Sequence, residues 1–468
     1  MWLQQSRRAF LRLAASAFPL RQPAALVRPP NFDGELIPAG PAIRAAADDW
    51  GHHVHHTPRA VLRAASVDDV SRIVKYANQH RLKVAMRGQG HSVYGQAQVD
   101  GGIVIDSTRL NAVTWHGSDG LHAQAGALWG AVATASLERR LIPPVMPDAL
   151  MLSVGGTLSV GGTGDTSCTS GAQVDHVLEL DVVTGRGEVV TCSPAKNPEL
   201  FHMVLAGLGQ CGLIVRARLR LAPAATYLVV RSVTYDDVVR LLSDQAALAT
   251  TVPPPVLSGE ITKNADGRWR FALIGGVISE RPEKELSPSP WMTGLTHTGT
   301  ARPAIWPYWD YLNRRTDSIA ATKARGTPNP SLALVLTEGS VRQFLEAVLS
   351  DEKFAAGIWR IEVFPMLVER FTAPLHVLPA ASLAFTVRLQ RRASVRNAVD
   401  HKAMLSANRA LAERCMELGG KVYPPFAPPL SRDEWRRHYG DRTWARFAAA
   451  RREFDPNGIL TPGAGVFD

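Results

Sequence analysis

Glycines, a histidine and a serine stand together in one short segment that has the composition of an anion-binding loop. The segment reads Gly88-Gln89-Gly90-His91-Ser92, and Gly95 and Gln96 follow closely. Glycine lets the backbone take left-handed conformations and approach a ligand closely. Successive N–H groups turned inward form a nest suited to a pyrophosphate. The segment lacks the spacing of a P-loop or of a dinucleotide-binding fingerprint, and on its own it is equally compatible with a tight turn.

Histidines and cysteines do not form a metal-binding pattern in this sequence. Gly51-His52-His53-Val54-His55-His56 concentrates four imidazoles, but no carboxylate or cysteine pattern accompanies it, so we expect adventitious metal binding rather than a metal site. The four cysteines show no C-x-x-C spacing: Cys168, Cys192, Cys211 and Cys415. They could form one or two disulfides in an oxidising compartment, and the spacing favours no particular pairing.

Length and composition indicate a globular protein of two or three domains, because 468 residues are too many for one hydrophobic core. The net charge is +10, but the basic residues are scattered. The densest basic run, Arg436 to Arg452, alternates with aromatic residues at helical spacing. We therefore interpret it as a solvated helix face and expect no nucleic-acid partner. The sequence contains no uninterrupted apolar run of about 18 residues, so we expect no integral membrane segment.

The first residues resemble a twin-arginine export signal. Ser6-Arg7-Arg8-Ala9-Phe10-Leu11-Arg12 has the serine, the arginine pair and the following Phe-Leu of such signals. The apolar stretch after it, Leu13 to Leu20, is short and contains Pro19. We expect a bacterial protein exported to the periplasm or secreted, and the alternative is a basic N-terminal arm on a cytoplasmic protein.

Short helices and strands must position the glycine loop. The first ordered unit is predicted to begin near Ala45. Ser66-Val67-Asp68-Asp69 predicts a capping box, in which Asp69 bonds back to Ser66, at the start of a helix. A strand over Lys83 to Met86 leads into the loop, and another over Gly102 to Asp106 follows it.

Further elements alternate along the sequence in an α+β pattern rather than in regular βαβ units. A helix is predicted over 129–140, a hairpin over 177–183 and 188–192, a helix capped by Asn197, and a strand over 213–221. The segment 222–224 is interpreted as a domain boundary. A long helix over 396–418 and one final helix before the tail complete the prediction.

Several motifs in the same order resemble the cytokinin dehydrogenases, a family of FAD-binding flavoproteins of the PCMH or vanillyl-alcohol-oxidase type. The resemblance runs from about Ala47 to Phe467 and is thinnest between Pro223 and Arg302. In the first half the motifs are Arg87 to Ser92, Gly95 to Ala97, Gly101 to Asp106, Met146 to Asp148, Ser153 to Ser159, Val177 to Gly185, Gly207 to Gly212, and Ile214. In the second half they are Tyr308 to Leu312, Pro328 to Pro330, Glu434-Trp435, His438 to Gly440, and Phe454 to Gly463.

The resemblance implies a two-domain PCMH-type FAD-binding fold of the α+β class, with a substrate-binding domain of antiparallel sheet and helices. Residues 1–44 would be the export signal and lead-in, and 45–223 the FAD-binding domain. Residues 224–430 would form the substrate-binding domain, and 431–468 a C-terminal segment that completes the flavin site.

The resemblance also implies FAD joined covalently through His91 to the flavin 8α-methyl. Because Pro143 to Ser153 contains no cysteine, this would be the single attachment. The other implied FAD contacts are Gly88, Gly90, Ser92, Gln96, Ser153, Thr157, Ser159, Ile214, Tyr423 and Thr461. The sequence departs from the family at Val160-Gly161-Gly162, where the family has Asn-Ala-Gly, and at Ala464, where it commonly has Gln.

Cytokinin dehydrogenases oxidise the C–N bond that joins the substituent of an N6-substituted adenine to its amino nitrogen, with an aspartate that accepts the amine proton. The matching residue is Asp148, although an aspartate after Pro147 could also simply cap a turn. Near an apolar flavin face we expect burial to raise the pKa of Asp148 and make it a better base. A cytokinin-like amine as substrate and a quinone-type compound or oxygen as electron acceptor are the implied partners.

One feature of the family is hard to find in this sequence. Plant members use a second acidic residue to hold the adenine ring, but Arg268 to Val277 contains none, and Glu260 fits only in a shifted register. A sugar or alcohol oxidase on the same fold, with Asp148 taking a hydroxyl proton, is therefore an alternative. A periplasmic flavin-binding protein without turnover is another.

Overall fold

Two sheets in the N-terminal half support the glycine loop. The computed structural model of the protein describes residues 26–117, 120–281, 289–393 and 398–467, so the proposed export signal lies outside the described residues. The first sheet has the order β1-β2-β4-β3, with β2, β4 and β3 parallel. Its strands are β1 (Glu35–Ile37), β2 (Ala60–Arg63), β3 (Val84–Arg87) and β4 (Ile103–Asp106).

The second sheet is antiparallel, in the order β5-β6-β10-β8-β9. Its strands are β5 (Val113–His116), β6 (Gly120–Gln124), β8 (Val177–Val183), β9 (Val189–Cys192) and β10 (Leu213–Arg220). The predicted hairpin is confirmed, because Val183 pairs with Val189 and Leu180 with Cys192. A two-stranded pair, β7 (Leu141–Ile142) with β11 (Ala222–Pro223), follows at the edge of this unit.

A large antiparallel sheet occupies the second half of the protein. Its order is β15-β12-β14-β13-β18-β19-β17-β20, and β16 also pairs with β12. The strands are β12 (Tyr227–Tyr235), β13 (Val256–Lys263), β14 (Trp269–Ser279), β15 (Gly299–Thr300), β16 (Ala304–Pro307), β17 (Leu332–Thr337), β18 (Ile358–Leu367), β19 (Leu383–Arg391) and β20 (Lys421–Val422). This sheet and its helices agree with the predicted α+β fold class.

Helices cover these sheets and connect them. In the first half they are α1 (Pro41–Ala46), α2 (Val67–Gln79), α3 (Trp129–Leu137), α4 (Val154–Leu158), α5 (Ser167–Ser170) and α6 (Pro198–Val204). In the second half they are α7 (Val238–Thr250), α8 (Tyr308–Asn313), α9 (Thr316–Ala324), α10 (Glu338–Ser350), α11 (Glu352–Ala355), α12 (Ala398–Glu417), α13 (Arg432–Tyr439) and α14 (Asp441–Phe454). None of the described helices is long and apolar enough to cross a membrane.

Several local predictions are wrong in informative ways. β1 ends before Ala45 and α1 begins before it, so the first described elements start earlier than predicted. Ser66 accepts the Asp69 N–H as predicted, but the Asp69 carboxylate bonds to the backbone N–H groups of Asp33, Gly34 and Ala65 instead of to Ser66. Asn197 has a left-handed φ of 50° and donates to the Thr191 carbonyl, so it does not cap α6 through its side chain.

The basic run near the C-terminus lies on α13 and α14, which meet at Gly440 (φ 76°) instead of forming the one predicted helix. Trp435, Trp444 and Phe447 are buried, whereas Arg436 and Arg437 are exposed. The run is therefore the solvated face of two packed helices, as its spacing predicts.

The core joins the two halves of the protein. One apolar cluster contains Trp129 of α3 and Leu180 of β8 together with Phe344 of α10 and Phe385 of β19. A smaller cluster packs α2 against β4 and includes Ile459 from the tail. The tail is therefore built into the N-terminal unit, where it can complete a site.

Candidate cofactor and substrate site

One cavity collects the glycine loop, the segment after Asp148 and the C-terminal tail. It has about 1290 Å³ of empty space, its open mouth included. All twelve residues predicted from the sequence line it: Gly88, Gly90, His91, Ser92, Gln96, Asp148, Ser153, Thr157, Ser159, Ile214, Tyr423 and Thr461. The structure brings them together, and the contact each makes with a cofactor stays a prediction.

The glycine loop follows β3, and hydrogen bonds with Asp49 and Trp50 hold it in place. The Gly90 carbonyl accepts the Trp50 N–H at 2.9 Å, and Asp49 accepts the N–H groups of Gly95 and Gly51. Gly90 has a positive φ of 61°. A Cβ on Gly88 would lie 1.9 Å from Ser153 Oγ. A larger residue at position 88 would therefore force the loop or Ser153 to shift.

His91 is packed between aromatic rings and is neutral. Its ring centroid lies 4.4 Å from that of Trp50 and 6.4 Å from that of Phe426. Burial lowers the pKa of His91 to about 4. Neither ring nitrogen bonds to any residue in the described ranges, so the ring keeps the unprotonated nitrogen that a nucleophile needs.

The opposite wall is formed by α4 and the strands beneath it. Trp129 Nε1 donates to Thr157 Oγ1 at 2.8 Å, and Ser159 Oγ donates to the Gly155 carbonyl at 2.7 Å. A Cβ on Gly155 would lie 2.6 Å from Ala125 Cβ, so the helix rests directly on the end of β6. This close packing fixes the predicted contact residues of α4 at the cavity wall.

The tail reaches the same cavity because Asp455 organises it. The buried Asp455 carboxylate accepts the N–H groups of Ile459 and Leu460, both at 3.0 Å. The Thr461 N–H then donates to the Val84 carbonyl at 2.7 Å, next to the start of the loop. Gln210 donates to the Thr461 carbonyl at 2.8 Å. The side chain of Thr461 is thus held at the cavity.

A smaller cavity continues from the first one. It has about 510 Å³ of empty space and shares five residues with the larger cavity: Asp148, Thr163, Arg388, Tyr423 and Phe426. Ala333, Phe364 and Met366 add apolar surface. A carboxylate and a guanidinium therefore stand where the two cavities meet, between a space for a large ligand and a space for a small one.

Asp148 belongs to a cluster of two carboxylates and two guanidinium groups. Asp148 Oδ2 accepts from Arg388 Nη2 at 2.7 Å and from Arg315 Nη1 at 3.2 Å. Glu362 Oε2 accepts from Arg388 Nε, and Glu362 Oε1 accepts from Arg315 Nη1, both at 2.7 Å. Gln390 also donates to Glu362. Each arginine thus bridges the two acids.

The prediction that the pKa of Asp148 is raised is wrong. Burial acts in that direction, but the charges of Arg388 and Arg315 outweigh it and hold the pKa of Asp148 well below its usual range. The same two arginines, against the opposing effect of burial, lower the pKa of Glu362 to about 2. Asp148 is therefore ionised at neutral pH without any raised basicity.

Sequence reasoning missed Glu362, Arg388 and Arg315. Glu362 pairs with Arg388 in the register of β18 and β19, so their side chains share one face. Glu260 lies opposite Glu362 on β13, but it bonds to Arg360 and lines neither cavity. In the sequence the only signal is a glutamate within the largely apolar strand Ile358–Leu367, and it identifies neither the burial of this residue nor its partners.

The histidine tract and the cysteines do not contribute to this site. His52 contacts Asp48 at 2.7 Å, and His53 bonds to the Gly51 carbonyl. Within the described ranges no group of three or more potential ligands could hold a metal ion. All four cysteines are buried free thiols, so none of the disulfides considered above is present, and none of the four lines either cavity.

Fold and site together define a flavoprotein oxidoreductase of the PCMH type. A family model described as an FAD binding domain matches residues 58–193, which hold the glycine loop and α4. The fold is similar to that of 6-hydroxy-D-nicotine oxidase from Arthrobacter nicotinovorans. The TM-score is 0.73 at 18% identity, and the match covers 94% of this protein and 99% of that one. The glycine cradle at Gly88 and the large cavity fit FAD.

A second family model, described as cytokinin dehydrogenase 1, FAD and cytokinin binding, matches residues 300–467. The uncharacterized oxidoreductase ORF5 in the fasciation locus of Rhodococcoides fascians is 34% identical, over 90% of this protein and 96% of its own length. Cytokinin dehydrogenase 8 of Oryza sativa subsp. indica is 32% identical, over 90% and 91%. Cytokinin dehydrogenase 4 of Arabidopsis thaliana is 28% identical, over 91% of each. The protein belongs to the cytokinin dehydrogenase family.

Proposed function

We propose that this protein oxidises the C–N bond between the amino nitrogen and the substituent of an N6-substituted adenine, with FAD attached through His91 and with Asp148 as the acceptor of the amine proton. The position of Asp148 carries the proposal, because this carboxylate lines both the large cavity and the smaller one that continues it. A substrate in the smaller cavity would meet the cofactor and the carboxylate at the same place.

The residues of the large cavity hold FAD in this proposal. The glycine loop and the hydroxyl groups of Ser92, Ser153 and Thr461 offer the polar contacts that a dinucleotide requires. When bound, FAD supplies the two-electron acceptor that takes hydride from the substrate carbon beside nitrogen. The neutral imidazole of His91 supports the covalent attachment, since only an unprotonated nitrogen can form a new bond to carbon.

Asp148 acts on the nitrogen of the substrate. Both arginines bond to Oδ2, so Oδ1 is left to accept the amine N–H. As hydride leaves the carbon and the C–N single bond becomes a double bond, the proton on nitrogen passes to Asp148. Water then hydrolyses the imine to adenine and an aldehyde. Because the carboxylate is ionised at neutral pH, it is ready to accept the proton throughout the physiological range.

The smaller cavity suits the proposed substrate. Phe364, Met366 and Ala333 offer an apolar surface for an isoprenoid substituent, and Phe426 and Tyr423 border the junction. The sugar or alcohol oxidase alternative rested on a missing second acid. Glu362 is a second buried carboxylate beside Asp148, but its oxygens are bonded to Arg315, Arg388 and Gln390 and it lines neither cavity, so it does not replace that acid. The sugar or alcohol oxidase is therefore the second candidate function.

The test is turnover of isopentenyladenine by the purified, flavin-loaded protein with a quinone-type dye, followed by dye reduction and by chromatography of adenine. We expect adenine and reduced dye in equal amounts. Asp148→Asn should lose most of this activity, whereas Glu260→Gln, which removes a carboxylate outside both cavities, should keep it. A wild-type protein that oxidises a sugar or an alcohol but not the amine would overturn the proposal.

A further inference from the structure

Two polar atoms at the junction of the cavities are left without partners by the ionic cluster. Asp148 is bonded only through Oδ2, and Arg388 only through Nε and Nη2, as far as the described residues show. Asp148 Oδ1 is an acceptor and Arg388 Nη1 is a donor. The two side chains keep 21% and 19% of their surface exposed, and both line both cavities. The free acceptor and donor therefore belong to side chains that border the space for a ligand.

Glu362 fixes the direction in which the guanidinium of Arg388 points. Its Oε2 atom accepts from Arg388 Nε at 2.7 Å and forms an ion pair with Nη2 at 2.5 Å. The Glu362 side chain is 3% exposed and is held in turn by Arg315 and Gln390. Because the guanidinium is planar, contacts along its Nε and Nη2 edge also fix the direction of the remaining nitrogen, Nη1. Nη1 is thus a preorganised donor, and Glu362 is its positioning residue.

We propose that Arg388 is a specificity-determining residue that donates from Nη1 to a ring nitrogen of the substrate, next to the N–H group that Asp148 accepts. This rests on the proposed function and adds to it the way in which the ring is recognised. Arg388 Nη2 and Asp148 Oδ2 are bonded at 2.7 Å, so the free donor and the free acceptor belong to directly joined groups. Together they offer an acceptor and a donor side by side.

An N6-substituted aminopurine has the complementary edge. Its exocyclic N–H is a donor, and the ring nitrogens N7 and N1 on either side are acceptors; carboxamides recognise the N6/N7 edge of adenine through the same pairing. The substrate class is therefore a secondary amine conjugated to an aromatic ring nitrogen. A simple alkylamine lacks the ring acceptor, which leaves the donor of Arg388 unpaired in a desolvated cavity. Asp148 and Arg388 would therefore bind such alkylamines more weakly than an N6-substituted aminopurine.

Binding of the product ring tests this without any turnover. Isothermal titration calorimetry on the flavin-loaded protein would compare adenine, 7-deazaadenine and 1-deazaadenine. Wild type should bind one of the two deaza compounds about 10- to 100-fold more weakly than adenine, as expected when a hydrogen bond to a charged donor is lost. In Arg388→Met this difference should shrink to about threefold or less. Arg409→Met should keep it, because Arg409 bonds to Glu413 and Glu434 and lines neither cavity.

The outcomes separate this inference from the proposed function. Equal affinity of wild type for all three compounds, or no binding of adenine, overturns the role of Arg388 even when Arg388→Met fails to fold. Discrimination that persists in Arg388→Met overturns it as well. Discrimination that Arg388→Met abolishes supports it. If Arg388→Met abolishes the discrimination but the wild-type protein does not turn over isopentenyladenine, the role of Arg388 in ring recognition is supported and the proposed reaction is contradicted.

Discussion

The indole of Trp50 packs against the imidazole of His91, with ring centroids 4.4 Å apart and planes inclined by 36°. The two residues are also linked through the backbone, since the Trp50 N–H donates to the carbonyl of Gly90, the neighbour of His91. The contact therefore orients the imidazole and keeps water from it. Both effects favour a single direction of attack by a neutral ring nitrogen.

His91→Ala should abolish the covalent attachment of flavin, because His91 is the single proposed attachment site. Flavin fluorescence of acid-denatured protein on an SDS gel measures it, and His80→Ala, which changes an exposed histidine outside the cavity lining, is the matched control. Flavin that leaves the wild-type protein on denaturation would show that the loop binds without bonding.

Gly88→Ala should lower the ratio of bound FAD to protein several-fold, since its Cβ would lie 1.9 Å from Ser153 Oγ and one side must shift. Absorbance of the native protein gives the ratio. Adding Ser153→Ala removes the clashing oxygen and should recover part of the loading. Gly339→Ala, where a Cβ meets nothing closer than 4.0 Å, should change nothing. Full loading of Gly88→Ala alone would contradict the close approach described above.

The pH profile of turnover should depend on Arg388. In wild type the pKa of Asp148 is held well below its usual range, so kcat should show no acid limb from this group between about pH 5 and 9. Arg388→Met removes the larger of the opposing charges. Because burial remains and raises the pKa, Asp148 should then take up a proton as the pH falls, and an acid limb should appear. Arg315 and Arg314 still oppose that rise. An unchanged profile in Arg388→Met would argue against Asp148 as the proton acceptor.

Glu362→Gln should destabilise the fold by about 3–5 kcal/mol at pH 7, because it leaves two partly buried arginines short of a counter-charge. The pKa of Glu362 is about 2 in the folded protein against an ordinary 4.5. Its stabilisation is therefore complete above about pH 4.5 and is lost as the pH falls towards 2. Urea midpoints of the flavin-loaded protein at pH 7 and pH 4 would measure this, with Glu260→Gln as the control. A variant as stable as wild type at pH 7 would show that the cluster does not stabilise the fold.

Local sequence patterns predict much of the fold, and short motifs identify most residues of the candidate site. The strand Val177–Val183 alternates regularly, and its partner pairs with it in the predicted hairpin. The capping errors at Asp69 and Asn197 arose because both side chains bond to backbone groups outside their own helices. The ionic cluster could not be found in this way. Asp148 and Arg388 are 240 residues apart, and only the pairing of β18 with β19 brings Glu362 between them. The charges of Arg388 and Arg315 also decide the pKa of Asp148, which burial alone predicts with the wrong sign.

The bond from Thr461 to Val84 has a consequence for the order of events during synthesis. The walls of the large cavity come from Met86 to Ala464, so a nascent polypeptide on the ribosome lacks one wall until nearly all of these residues have been translated. The loop that carries His91 is synthesised long before the tail that completes the cavity. The cofactor can therefore be enclosed only after translation has passed Thr461. Flavin loading should therefore be a post-translational step that also acts as a checkpoint, since a polypeptide interrupted before its tail would retain no cofactor.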